Sequence, residues 1–166
     1  MPEAEMSESL AIALKLALVT GQRVGMISGM AKTELELGRV GPVREGMARS
    51  GASGFVFPSP TGDAAIAPHA ATRAMSRWRP DLGLADFRVH DLRRTCATGM
   101  ARLGVPRSHI SLVLDHVSVT QGTITGAVYD KYSYDAEKRA ALDKWSDHLV
   151  ALLGLNVANA ASPAAA

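Results

Sequence analysis

Apolar positions divide this chain into helical stretches separated by glycine and proline. From residue 7 to 19, Leu10, Leu14, Leu16, Ala17 and Leu18 make a broad apolar stripe, and Lys15 can reach water along its stem. Ser7 is the candidate N-cap, and Thr20-Gly21 closes the helix. The segment from Gln22 to Met30 reads as a turn leading into a second short helix. Arg23 is the one charge between these apolar segments: a surface arginine in a turn, or a buried one held for an anion.

Residues 31–54 show no clean period, because Gly38, Gly41 and Pro42 interrupt it. Residues 43–49 are compatible with one helical stretch. Phe55-Val56-Phe57 predicts a short buried strand or extended segment, and residues 58–63 a turn. Pro68 opens a helix that stops before Pro80, with Ala70, Ala71, Ala74, Met75 and Trp78 on its apolar side. A connector carrying Leu82, Leu84 and Phe87 precedes a helix from about His90 to Leu103, stopped by Gly104. Pro106 begins another, ending near Leu114. A loop follows to Val128. A last helix runs from about Asp135 to Leu153, with Leu142, Trp145, Leu149 and Leu152 at helical spacing. The expected fold is mainly α with a small residual β element. One domain covers residues 1–155, and an Ala-rich tail over 156–166 is expected to be disordered. No internal repeat is found.

With 47% apolar residues among 166, the chain can bury a real core. The lone Cys96 excludes an intrachain disulfide framework and, lying among small residues, reads as a buried side chain. An acidic start and the lack of a long apolar run speak against a secretory signal and a membrane span, so a cytoplasmic protein is expected.

Net charge is only +2, but it is unevenly spread. Residues 68–107 hold eight basic and three acidic side chains, whereas 108–166 hold four and six. The eight are Arg73, Arg77, Arg79, Arg88, Arg93, Arg94, Arg102 and Arg107, all of the type whose planar fork matches phosphate. A local basic face is either a solvated helix surface or a nucleic-acid footprint. Arg73, Arg77 and Arg94 are the candidate DNA contacts.

The candidate chemistry centres on His90-Asp91-Leu92-Arg93-Arg94-Thr95. A helix turns about 100° per residue, so positions three apart share a face. An imidazole and a guanidinium side by side suit a phosphate, because the fork holds two oxygens while the histidine donates to a third or moves a proton.

Four motifs together resemble the catalytic domain of the tyrosine recombinases (phage integrases) over roughly residues 7–153. Thr20-Gly21-Gln22-Arg23-Val24-Gly25 resembles the segment carrying the first catalytic arginine, and His90-Asp91-Leu92-Arg93 resembles the HxLR box. Leu114-Asp115-His116-Val117-Ser118 resembles the Leu-Gly-His-x-Ser segment, and Val128-Tyr129-Asp130-Lys131-Tyr132 the nucleophile segment of prophage-type integrases. The resemblance implies a catalytic set of Arg23, His90, Arg93, His116 and Tyr129. It also implies double-stranded DNA as partner, a tetramer on that DNA, and strand cleavage and joining through a 3′-phosphotyrosine.

In that scheme Arg23 and Arg93 hold the non-bridging oxygens, His116 donates to them, and His90 accepts or holds the tyrosine proton. A phenol with a pKa of about 10 needs both a base and nearby positive charge to attack at neutral pH. The scheme requires no metal or cofactor, and the sequence has no HExxH or clustered Cys/His set. His69, His109 and His148 are read as structural or surface residues. Tyr132 and Tyr134 compete with Tyr129, whose Tyr-Asp-Lys-Tyr context favours it.

The chain departs from the family pattern in places. Asp115 stands where glycine is usual, and Met26 where an acidic residue is common. Residues 31–54 show no counterpart of the family's β-hairpin with its catalytic lysine, so either the hairpin is lacking or a stretch near residues 37–41 is left out of the chain. Lys32 aligns with the end of the preceding helix and is not read as catalytic. Few residues precede the first helix, as in an isolated catalytic fragment. The alternatives are a degenerate integrase that binds DNA without cutting, a type IB topoisomerase-like activity, or a helical interaction module.

Overall fold

The computed structural model describes residues 6–35, 51–60, 64–84, 86–115 and 132–155. They contain six α-helices: α1 (Glu8–Thr20), α2 (Val24–Ser28), α3 (Pro68–Trp78), α4 (Val89–Arg102), α5 (Arg107–Val113) and α6 (Asp135–Leu152), with a 3-10 turn at Lys32–Glu34. Among the described residues the expected helices are present, and the fold is mainly α as the sequence predicts. The helix expected over 43–49, the region near 37–41 where no hairpin is expected, the loop to Val128 and the tail lie outside the described residues.

The punctuation explains the boundaries. Gly21 takes φ 66°, ψ 10° at the end of α1, and its N–H donates to the Ala17 carbonyl at 3.0 Å. Ser7 sits at the N-cap position but makes no capping bond with its hydroxyl. Pro68 is the first residue of α3, where a missing N–H costs nothing. Gly104, at φ 75°, ends α4, and the Val105 N–H reaches back to the Met100 carbonyl at 3.0 Å.

The β element is small, as the sequence predicts, and takes the extended rather than the strand form at residues 55–57. Among the described residues Phe55-Val56-Phe57 forms no strand. Pairing among the described residues is limited to two isolated antiparallel bridges, Ala31 with Phe55 and Pro58 with Ala65. Pro58 supplies no N–H, so a ladder cannot extend through it. The segment is nonetheless buried, as expected: Val56 and Phe57 are closed off from water.

The chain divides into two compact units at Arg94/Thr95. In the first, Leu10, Ile12, Ala13, Leu14 and Ala17 of α1 pack with Ile27, Val56, Phe57, Ile66, Ala71, Ala74 and Met75. Each large apolar side chain so buried contributes about 1.5–3 kcal/mol. This core joins α1 to α2 and α2 to α3, which brings their connecting turns together. In the second unit α5 packs on α6, around buried Ile110, Val113, Ala141 and Trp145. Cys96 is buried, as its small neighbours predict. The apolar stripe of α6 ends sooner than its spacing implies, since Leu152 is largely exposed.

Candidate functional site

The first unit assembles three candidate residues from two distant parts of the sequence. One cleft of about 240 Å³ is lined by Gln22, Arg23, Val24, Pro68, Thr72, Val89, His90 and Arg93. Arg23 arrives on the turn between α1 and α2, as the N-cap residue of α2. His90 and Arg93 arrive on the first turn of α4, three apart and on one side of the helix.

The two arginines differ in their settings. Arg23 is exposed, as the surface reading had it, yet lies on the cleft wall rather than in an isolated turn. Arg93 is the buried one, with 5% of its surface exposed. A charge this deep must be hydrogen-bonded, and its Nη1 donates to the Gly21 carbonyl at 2.8 Å. His90 is exposed at the cleft edge and also borders a neighbouring cavity with Thr72, Ser76, Arg79 and Arg88.

Asp91 organises the start of α4. Its carboxylate accepts the Arg88 backbone N–H at 2.8 Å and pairs with Arg94 at 3.0 Å. The first of these is the return bond of a capping box. The Arg88 N–H, helped by the Arg94 guanidinium, holds the Asp91 carboxyl below its ordinary value. Arg94 is held by this pair and remains largely exposed. Arg73 and Arg77, also exposed, line a different and larger groove of about 950 Å³ together with Leu10, Ile66 and Ala70.

His116 and Tyr129 lie outside the described residues. The residue before His116 is informative. Asp115 adopts φ 49°, the left-handed region that glycine favours. The glycine usual at this point thus answers a backbone requirement, which Asp meets at some cost. Of the competing tyrosines, Tyr132 is exposed, with its ring edge-on to Tyr134 at 4.8 Å. Lys32 donates to the Gly51 carbonyl at 2.7 Å. His148 lies beside Trp145, with ring centroids 5.8 Å apart.

The sequence did not single out Thr72 or Gln22 as cleft residues. Thr72 looks like any polar position on the wet side of α3, and only the packing of α3 against α2 brings it to the cleft. Gln22 could have been found from its adjacency to Arg23. Among the described residues no group of His, Cys, Asp and Glu is arranged to hold a metal, and no helix is long and apolar enough to cross a membrane.

The model of the phage integrase family matches residues 42–130, just over half of the chain. That stretch contains His90, Arg93, His116 and Tyr129; Arg23 precedes it. No curated protein and no solved structure gave a significant match.

Proposed function

The chain belongs to the phage integrase family, and from that premise we propose that it cuts and rejoins DNA strands through a 3′-phosphotyrosine intermediate. One observation carries the reading: Arg23, His90 and Arg93, up to 70 positions apart, line a single cleft. A phosphodiester in that cleft would meet two guanidiniums and an imidazole. The negative charge that develops on its non-bridging oxygens is then stabilised in place, usually the largest catalytic term in such a site.

In this mechanism the Tyr129 oxygen attacks phosphorus in line, and its proton passes to His90. The P–O bond to the 5′ side breaks, and the departing oxygen takes up a proton. His116 donates to a non-bridging oxygen. The phosphotyrosine keeps the bond energy, so a second strand's 5′ hydroxyl reverses the step. Arg73, Arg77 and Arg94 contact flanking phosphates. The protein acts in the cytoplasm on double-stranded DNA and assembles there as a tetramer.

A nicked suicide substrate, whose cleaved end diffuses away, tests this. The unaltered protein is expected to form a covalent adduct that survives denaturation, and Tyr129→Phe to form none. DNA retention without any adduct would instead identify a binding protein. Capture lost in Tyr132→Phe but kept in Tyr129→Phe would move the nucleophile to Tyr132.

A further inference from the structure

We propose that Gly21 is a positioning residue for the reaction, and that the turn Thr20–Arg23 is a common mount for both phosphate-binding arginines. The inference rests on the recombinase reading of the cleft and assigns a role to backbone that touches no substrate.

The shared anchor is the carbonyl of Gly21. It stands at the C-terminal end of α1, where backbone carbonyls lack helical partners and carry partial negative charge. The left-handed conformation of Gly21 turns the chain there, and this carbonyl accepts the bond from Nη1 of buried Arg93 at 2.8 Å. One nitrogen of the fork is thereby fixed, so the plane of the guanidinium is set before any phosphate arrives. Two residues later the same turn delivers Arg23 to the same cleft.

The turn is itself braced. The Thr20 hydroxyl donates to the Leu16 carbonyl at 2.6 Å and accepts the Gln22 N–H at 3.3 Å. A rotation at Gly21 would therefore move the Arg93 anchor and the Arg23 backbone together. Preorganised donors act only when held in place, and a misplacement of about 1 Å can cost about 100-fold in rate.

The test compares Gly21→Ala, Gly21→Asn and Thr20→Val in the full chain. Alanine is strained in the left-handed region, whereas asparagine enters it more readily. Thr20→Val keeps the side-chain shape and removes the brace, so it serves even where a side chain at buried Gly21 disrupts folding. Two readouts are taken: adduct formation at saturating DNA, alongside the Kd for DNA, and the 15N-resolved guanidinium N–H signals of Arg93.

Gly21→Ala and Thr20→Val are expected to slow cleavage about 10–100-fold with little change in Kd, and Gly21→Asn to recover part of the rate. In an Arg93→Lys background Gly21→Ala should add no further loss. The Arg93 N–H signals, slowed by the bond in the unaltered protein, should broaden or average in Gly21→Ala and Thr20→Val. Unchanged cleavage rates, full additivity with Arg93→Lys, or unchanged Arg93 signals would overturn the mount. Failure of the unaltered protein to form any adduct would count against the recombinase reading, while the Arg93 signals would still decide the mount.

Discussion

The indole of Trp145 lies directly over Gly99, so that a β-carbon built on Gly99 would meet Cζ3 and come within 2.7 Å of Cη2. Trp145 is buried, and the missing side chain at Gly99 is what lets α6 approach. Helix propensity alone favours alanine over glycine by about 0.8–1 kcal/mol, but overpacking costs about 1–3 kcal/mol. The sign of the change therefore decides. Gly99→Ala is expected to destabilise in urea unfolding, and Trp145→Ala to cost about 3–5 kcal/mol. A stabilised Gly99→Ala would show that the ring moves aside freely.

How much of this was legible in the sequence follows from range. The helix limits were readable because Gly21, Pro68, Gly104 and Pro106 act locally, each through its own φ or its own N–H. The seat for Trp145 was not, because nothing near Gly99 tells a packing glycine from a merely tolerated one. The same holds for the site. His90 and Arg93 were readable as a pair from their spacing within one helix turn. That Arg93, among eight arginines, is the buried one depends on a carbonyl 72 positions away. Phe55-Val56-Phe57 was readable as buried, but not as held by isolated bridges instead of a ladder, since pairing depends on what other segments offer.

Arg23 and Arg93 should separate stability from activity. Arg23 is exposed, so Arg23→Ala is expected to change stability by less than about 0.5 kcal/mol while lowering adduct formation about 10²–10³-fold. Arg93→Ala should show a comparable kinetic loss. It should also cost about 1–3 kcal/mol of stability, because the Gly21 carbonyl is left without its donor. Thermal unfolding beside single-turnover cleavage checks both.

Asp91 gives a pH dependence with a definite sign. Its carboxyl titrates lower in the folded chain than the ordinary value of 3.8, chiefly through the Arg88 N–H. Its contribution is therefore fully present above about pH 3.8 and is lost as pH falls through the depressed folded value. Asp91→Asn is expected to flatten this part of the acid-unfolding profile. An unchanged acid profile would mean that the capping bond contributes nothing.

Asp115 holds a left-handed backbone at φ 49°. Replacement by glycine relieves the strain, and Asp115→Gly should raise stability by up to about 1 kcal/mol, against a loss for Asp115→Ala. Urea unfolding of the two variants checks the order.

Contacts to DNA phosphates are salt-dependent by nature. The affinity of the unaltered protein should fall steeply with added salt. Arg73→Ala and Arg77→Ala should each reduce the log–log slope by about 1 without favouring any sequence. A slope unchanged in both variants would place the DNA path elsewhere.

The central claim is that the cleft of Arg23, His90 and Arg93 holds one anionic phosphate and neutralises its charge. The most direct measurement is single-turnover cleavage by Arg93→Ala on two substrates, one with the natural scissile phosphate and one with a neutral methylphosphonate there. The variant is expected to be severely impaired on the phosphate and to recover on the methylphosphonate, relative to the unaltered protein. Equal impairment on both substrates would contradict it.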